Sequence, residues 1–115
     1  MTLARPNPLK LNALQLKTLT LFQAMAEDPG RAMADGETGE VTIGSIPHPH
    51  GDHFHVGPYV VGAANASGLT NAGVWKALER KSLIRGMFPS AVTLTAEGLA
   101  YETGLKESIL HPSGH

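Results

Sequence analysis

The sequence predicts a small α+β domain because it combines helical and strand-like patterns. Apolar residues recur every three or four positions over 11–26 and again over 71–82, as in helices that bury one face. Apolar and small polar residues alternate over 41–46 and 91–95, as in half-buried strands. The 115 residues suffice for one domain with a modest core. We therefore expect a single domain at 11–109.

The ends of the chain and one internal segment read as irregular. Two prolines predict an extended lead-in at 1–10, and the first helix follows with Asn12 as its N-cap. Glycines and few large apolar residues predict a mobile connection at 28–40, with one helical turn at 31–34. The residues at 110–115 are expected to form a flexible tail.

A histidine-rich stretch after this connection predicts a β-hairpin. A two-residue turn with glycine first fits at 51–52. With that turn, His50 faces His53 and His48 faces His55. Since side chains alternate along a strand, all four imidazoles would lie on one face of the hairpin.

Four imidazoles on one face would bind a divalent transition metal such as zinc or nickel. Asp52 is close enough in sequence to act as a ligand or to orient a ring. The same cluster would titrate near neutral pH and could act as a pH sensor. The alternative hypothesis is an ordinary solvated surface.

Two helices joined by a tight turn are predicted in the second half of the chain. The first covers 58–66, although a strand at 53–63 is the competing interpretation. Gly68 lies in the turn, where glycine adopts positive φ without strain. The second helix covers 71–82, and either Thr70 or Asn71 can cap it.

Three short motifs in this region resemble the helix-turn-helix of winged-helix DNA-binding domains. They are Ser-Gly-Leu at 67–69, Val-x-x-Ala-Leu at 74–78 and Leu-Ile at 83–84. A fourth motif, Val-Thr-Leu-Thr-x-x-Gly at 92–98, is similar to the junction between wing and last helix. The resemblance covers 58–103. It implies a winged helix-turn-helix domain with an additional His-rich β-hairpin between the first and second helices.

The resemblance also implies a mode of action. The helix at 71–82 would enter the major groove of double-stranded DNA, and a wing at 84–95 would lie beside it, as in a transcription regulator. A last helix would follow at 96–109, capped by Thr95. Trp75 belongs to the implied interface, with a place in the core as the alternative. The implied DNA-contacting residues are Thr70, Asn71, Trp75, Lys76, Arg80, Lys81 and Arg85.

The charge of the chain keeps two other functions open. The formal net charge is −1, so no global field attracts a polyanion. A winged helix used for protein contact, without DNA affinity, is therefore the second hypothesis. The third is a metal- or pH-responsive regulator that senses through the four clustered histidines.

The remaining features concern chemistry and location. The chain has no cysteine, which excludes disulfides and thiolate metal sites. It also lacks a Gly-rich phosphate loop and paired carboxylates, so we expect no enzyme. Apolar faces on the first and last helices predict a homodimer. No stretch approaches the roughly 18 apolar residues of a membrane helix, and a cytoplasmic protein is expected.

Overall fold

Two antiparallel sheets and four helices make up the fold over residues 7–48 and 51–112, which a computed structural model describes. The helices are α1 (Ala13–Met25), α2 (Ala72–Arg80), α3 (Ala96–Ala100) and α4 (Lys106–Ile109). The strands are β1 (Ala32–Ala34), β2 (Val41–Ile43), β3 (His53–Val56), β4 (Tyr59–Gly62), β5 (Ile84–Met87), β6 (Ala91–Leu94) and β7 (His111–Pro112). The predicted α+β class is confirmed.

Helix α1 lies where the apolar spacing predicts it and forms the centre of the core. The Asn12 side chain accepts a hydrogen bond from the Gln15 backbone N–H at 2.8 Å, and the Gln15 side chain accepts one from the Asn12 N–H at 3.0 Å. This reciprocal pair is a capping box, as the predicted N-cap requires. Every residue over 18–25 is buried. A helix buried on all sides packs within its own chain, so this part of α1 is not available for dimer contacts.

The first sheet has the strand order β1-β2-β6-β5. The predicted hairpin of β5 and β6 is confirmed, with Ile84 opposite Leu94. The expected helical turn at 31–34 is wrong, because β1 pairs there with β2. Asp28 and Asp35 explain the difference. Their carboxylates accept backbone hydrogen bonds two residues ahead, at 2.9 Å in both cases, and so form turns on either side of β1.

The second sheet has the strand order β3-β4-β7. Among the described residues, β3 has no partner in the segment before 51–52, and the expected hairpin is not seen there. Strand β3 pairs with β4 through a turn at Gly57, whose φ is +57°. In this register Phe54 lies opposite Val61, and both are buried. The pairing of β3 with β4 is favoured because it buries apolar residues of both strands. His50, a member of the predicted cluster, lies outside the described residues.

The helix predicted at 58–66 is also wrong, and the competing strand interpretation is correct for 59–62. Val60 and Val61 are β-branched, and here a pairing partner lies on each side of the strand. Two short 3-10 turns, Ala63–Asn65 and Ser67–Thr70, follow β4 and lead into α2.

Helix α2 occupies most of its predicted range, and Asn71 is its N-cap as expected. Gly68 differs from the prediction because it lies inside the second 3-10 turn and is not among the residues with positive φ. Its small size serves close packing instead. A Cβ atom there would stand 1.8 Å from Thr18 Oγ1, so only glycine lets this turn rest on α1.

The predicted last helix is divided into α3 and α4. Its expected cap is confirmed, because the Thr95 hydroxyl accepts the Gly98 N–H at 3.0 Å. The helix stops because buried Gln23 donates its amide hydrogens to the carbonyls of Gly98 and Tyr101, at 2.9 and 2.8 Å. Gly104 then turns the chain with φ +75°. Within the predicted tail at 110–115, the first residue is buried and the next two form β7.

No helix within residues 7–48 and 51–112 combines the length and apolar character needed to cross a membrane.

Candidate nucleic-acid interface

Helix α2 has one buried face and one solvent face of small and basic residues. Val74, Trp75 and Leu78 point into the core. The exposed positions of α2 are Ala72, Gly73, Lys76, Glu79 and Arg80. Lys76 and Arg80 are four residues apart and so follow one another along this face. The solvent face therefore joins a narrow, small-residue start to a cationic second half.

Glu79 is the acidic residue of α2, and its carboxylate is engaged beside the helix. Its Oε1 accepts a hydrogen bond from the backbone N–H of Gly86 at 3.1 Å. Gly86 belongs to β5, so this contact draws the carboxylate toward the hairpin and ties α2 to it.

A depression of about 510 Å³ lies between the start of α1 and the end of α2. Its lining is Lys10, Asn12, Gln15, Ala77, Arg80 and Lys81. This lining contains three cations and no carboxylate. Within the described part of the chain, none of the three cations takes part in an ion pair. The depression is thus a local positive region on a chain with nearly balanced charge.

Lys10 was not among the residues that the sequence predicts for this surface. It lies in the lead-in, but the residues there are fixed by Asn7. The Asn7 side chain accepts the Leu11 N–H at 3.1 Å and donates to the Leu11 carbonyl at 2.9 Å. The local Asn-Pro turn signal could have indicated an ordered segment, but nothing in the sequence places Lys10 beside Arg80.

Thr70 and Asn71 lie exposed at the start of α2, where the sequence predicts DNA contacts. The Asn71 Oδ1 atom accepts the N–H groups of Gly73 and Val74, at 3.0 and 3.3 Å. The Thr70 hydroxyl donates to the Ser67 carbonyl at 3.3 Å. Both side chains therefore have a structural role in the turn, and the Asn71 oxygen is committed to capping.

Trp75 is in the core, which decides between its two predicted positions. It is 2% exposed, and its ring packs edge-on against Phe22 with centroids 5.1 Å apart. Among the described residues, its indole N–H has no hydrogen-bond partner. Trp75 is removed from the predicted DNA-contacting set because Val74 and Leu78 place the same side of α2 inward.

Arg85 is exposed at the hairpin, but its charge is paired. Its guanidinium donates to both carboxylate oxygens of Glu40. These hydrogen bonds lower the pKa of Glu40 and raise the pKa of Arg85. The predicted wing cation thus contributes little net positive charge in this arrangement.

The predicted histidine cluster is only partly assembled by the described residues. His53 and His55 lie together on the face of β3 turned away from Phe54 and Val56. His48 is exposed and lines a separate depression with Leu69 and Pro89. Within residues 7–48 and 51–112, no group of three or more metal-ligating side chains comes together.

No protein-family model, curated protein or solved structure matches this chain.

Proposed function

We propose that the chain is a winged-helix module that binds double-stranded DNA through the solvent face of α2. The observation that supports this most is the depression lined by Lys10, Arg80 and Lys81, with exposed Lys76 one turn before Arg80 on α2. Cations that neutralise phosphates provide most of the affinity of a DNA-binding surface and fix its orientation.

The connectivity is consistent with this proposal. In a winged helix, a hairpin follows the recognition helix, and an earlier strand completes its sheet. Here β5 and β6 follow α2 directly, and β2 pairs with β6 in antiparallel register. The segment before α2 departs from the family pattern, since β4 and two 3-10 turns stand where a helix is usual. That departure leaves the recognition helix and hairpin intact.

The composition of the face favours weak sequence discrimination. Ala72 and Gly73 let the start of α2 approach a DNA backbone closely, but they offer no groups for reading bases. Asn71 uses its oxygen as a cap. The expected activity is therefore phosphate-dominated binding, with Lys76 as the remaining long polar side chain on the outward face of the first two turns.

A fluorescence-anisotropy titration of a labelled random duplex of about 20 base pairs tests the proposal. The slope of log K against log salt should not exceed about 3.6 in magnitude, for four neutralised phosphates. The double substitution Arg80→Glu/Lys81→Glu should abolish binding. The control, Lys17→Glu with Lys106→Glu, makes the same change in net charge but does not alter the lining of the Lys10 depression.

Binding that survives the Arg80→Glu/Lys81→Glu change, or that the control pair weakens equally, would contradict a docking role for α2. Absence of binding by the parent protein at low salt would favour the second candidate, a protein-interaction module.

A specific observation supports that second candidate. Met33 and Met87 are 76% and 73% exposed, and they lie on β1 and β5, the two edge strands of the first sheet. Large apolar side chains on open edges are typical of surfaces that contact another protein, including a second copy of the chain. Sedimentation of the parent and of Met33→Lys and Met87→Lys variants would detect such a dimer and identify the edge responsible.

A further inference from the structure

One face of the second sheet carries a pair of half-buried histidines on β3. His53 and His55 alternate along β3 with Phe54 and Val56, which are 6% and 0% exposed. The core residues fix the strand, and β4 pairs with it along its whole length. Both imidazoles are therefore held on the same side by buried neighbours, and little ordering remains for a ligand to impose.

The two rings bring the same kind of nitrogen close together. Nε2 of His53 lies 3.2 Å from Nε2 of His55, and the ring planes meet at 77°. Zinc–imidazole bonds of about 2.0–2.1 Å in tetrahedral geometry separate two ligand nitrogens by about 3.3 Å. The observed separation matches the spacing of two ligands on one ion. In the metal-free protein the same two nitrogens lie within hydrogen-bonding distance, so a hydrogen bond between them competes with metal binding.

Asp52 supports the orientation that an ion would need. Its Oδ1 lies 3.4 Å from Nδ1 of His53, the nitrogen on the other side of that ring. A carboxylate that accepts the Nδ1 proton leaves the lone pair on Nε2, which is how metal-binding histidines are commonly held. The turn before β3 therefore provides a contact to the other nitrogen of the His53 ring.

We infer that Nε2 of His53 and Nε2 of His55 form a two-imidazole site for a divalent transition metal of the zinc and nickel class, with Asp52 orienting His53. Water completes the coordination. Imidazole ligands suit these ions, whereas magnesium and calcium require oxygen ligands. The inference does not depend on DNA binding by α2, which uses a different surface.

Titration calorimetry of the tag-free full chain with zinc chloride and with nickel chloride tests the site. Each single change, His53→Ala or His55→Ala, should lower the affinity at least roughly tenfold, because one imidazole cannot chelate. Asp52→Asn should lower it by roughly tenfold, the lower end of the range for residues that orient a metal ligand. Circular dichroism before titration checks that each variant is folded.

His111→Ala is the matched control. His111 lies opposite Val60, and Val60 lies opposite His55, so this imidazole is on the same face but two strands away. Its removal should leave the affinity within about twofold of the parent, since a chelate needs ligand nitrogens about 3.3 Å apart. An equal loss in the control would mean that metal adsorbs on the whole face and would overturn the assignment.

Imidazole nitrogen NMR provides a readout that unfolding cannot imitate. Zinc should change the chemical shifts of Nε2 of His53 and His55. Their Nδ1 signals should keep the chemical shifts of protonated nitrogens. Unchanged Nε2 signals at saturating zinc, or parent-like affinity in both alanine variants, would refute the site.

Discussion

The Trp75 and Phe88 rings meet edge to face, with centroids 5.1 Å apart and planes at 83°. Trp75 belongs to α2, and Phe88 lies in the loop that joins β5 to β6. Gly86 makes room for the indole, since a Cβ atom there would stand 2.9 Å from Trp75 Cε3. The aromatic contact thus fixes the angle between α2 and the hairpin, the two elements proposed to approach DNA.

Removal of this contact should loosen the hairpin. Phe88→Ala is expected to destabilise the fold by about 1 kcal/mol beyond the loss of buried area, the usual size of an aromatic pair interaction. Trp75 emission should move to longer wavelength as water reaches the indole. Urea unfolding followed by fluorescence measures both effects. Met87→Ala is the control, since that side chain is 73% exposed and should change neither quantity.

Close packing at Gly68 gives a prediction about the turn before α2. Gly68→Ala should destabilise by about 2 kcal/mol or more, because the new methyl group overlaps Thr18 Oγ1. The cost should be smaller in a Thr18→Ala background, which removes that oxygen. A double-mutant cycle in urea measures the coupling. Gly44→Ala, where a Cβ atom meets nothing within 4 Å, should be nearly neutral.

Substitutions at Asn71 can separate its capping role from its proposed contact with DNA. Asn71→Ala should cost about 1 kcal/mol, because the N–H groups of Gly73 and Val74 lose their acceptor. Asn71→Asp keeps the acceptor and should retain stability, yet it places a negative charge at the start of α2 and should weaken DNA binding. Asn71→Ser should retain both properties. If Asn71→Asp binds DNA as well as the parent, this end of α2 does not face the duplex.

The Glu40–Arg85 pair should restrain DNA affinity. Glu40→Gln releases the guanidinium and removes one negative charge, so we expect several-fold tighter binding to random duplex with a steeper salt dependence. Glu37→Gln removes the same charge from the same loop without contacting Arg85, and it should have a smaller effect. Anisotropy at two salt concentrations compares the variants. Equal gains in both would mean that net charge alone is responsible.

The Glu40–Arg85 pair should also make the stability of the fold depend on pH, in a direction set by the lowered pKa of Glu40. Hydrogen bonds from Arg85 lower the pKa of Glu40 in the folded chain. The stabilisation is therefore present above the ordinary glutamate pKa and is lost as pH falls through the lowered folded value. Because the Arg85 side chain is 61% exposed, the effect should be small and should weaken with salt. Comparing the parent and Glu40→Gln by urea unfolding across that acidic range measures it.

Local signals in the sequence correctly predicted the starts of α1, α2 and α3 and one hairpin. The caps at Asn12, Asn71 and Thr95 each act on backbone groups two or three residues away, so the information lies within a single turn. The hairpin of β5 and β6 depends on a short connection and on alternation within each strand. These features need no partner from a distant part of the chain.

Pairings between distant segments could not be predicted in the same way. The stretch at 59–62 has the composition of either a buried helix or a strand, and β3 and β7 on its two sides decide for a strand. His53 and His55 were predicted to share a face with the segment before 51–52 as partner, whereas the partner that the described residues show is β4. His111 joins that face from a segment that was predicted to be a tail.

The sequence by itself determined the α+β class, the position of α2 and its basic residues, because periodicity, capping and charge are local properties. Only the tertiary structure decided which of those residues are available to contact DNA. Packing against Phe22 turns Trp75 inward, and Glu40 pairs with Arg85. A hydrogen bond from the Leu9 N–H to the Tyr101 hydroxyl holds the segment that carries Lys10 near the end of α2. Each of these outcomes depends on contacts between residues far apart in the chain, whose energies no single segment contains.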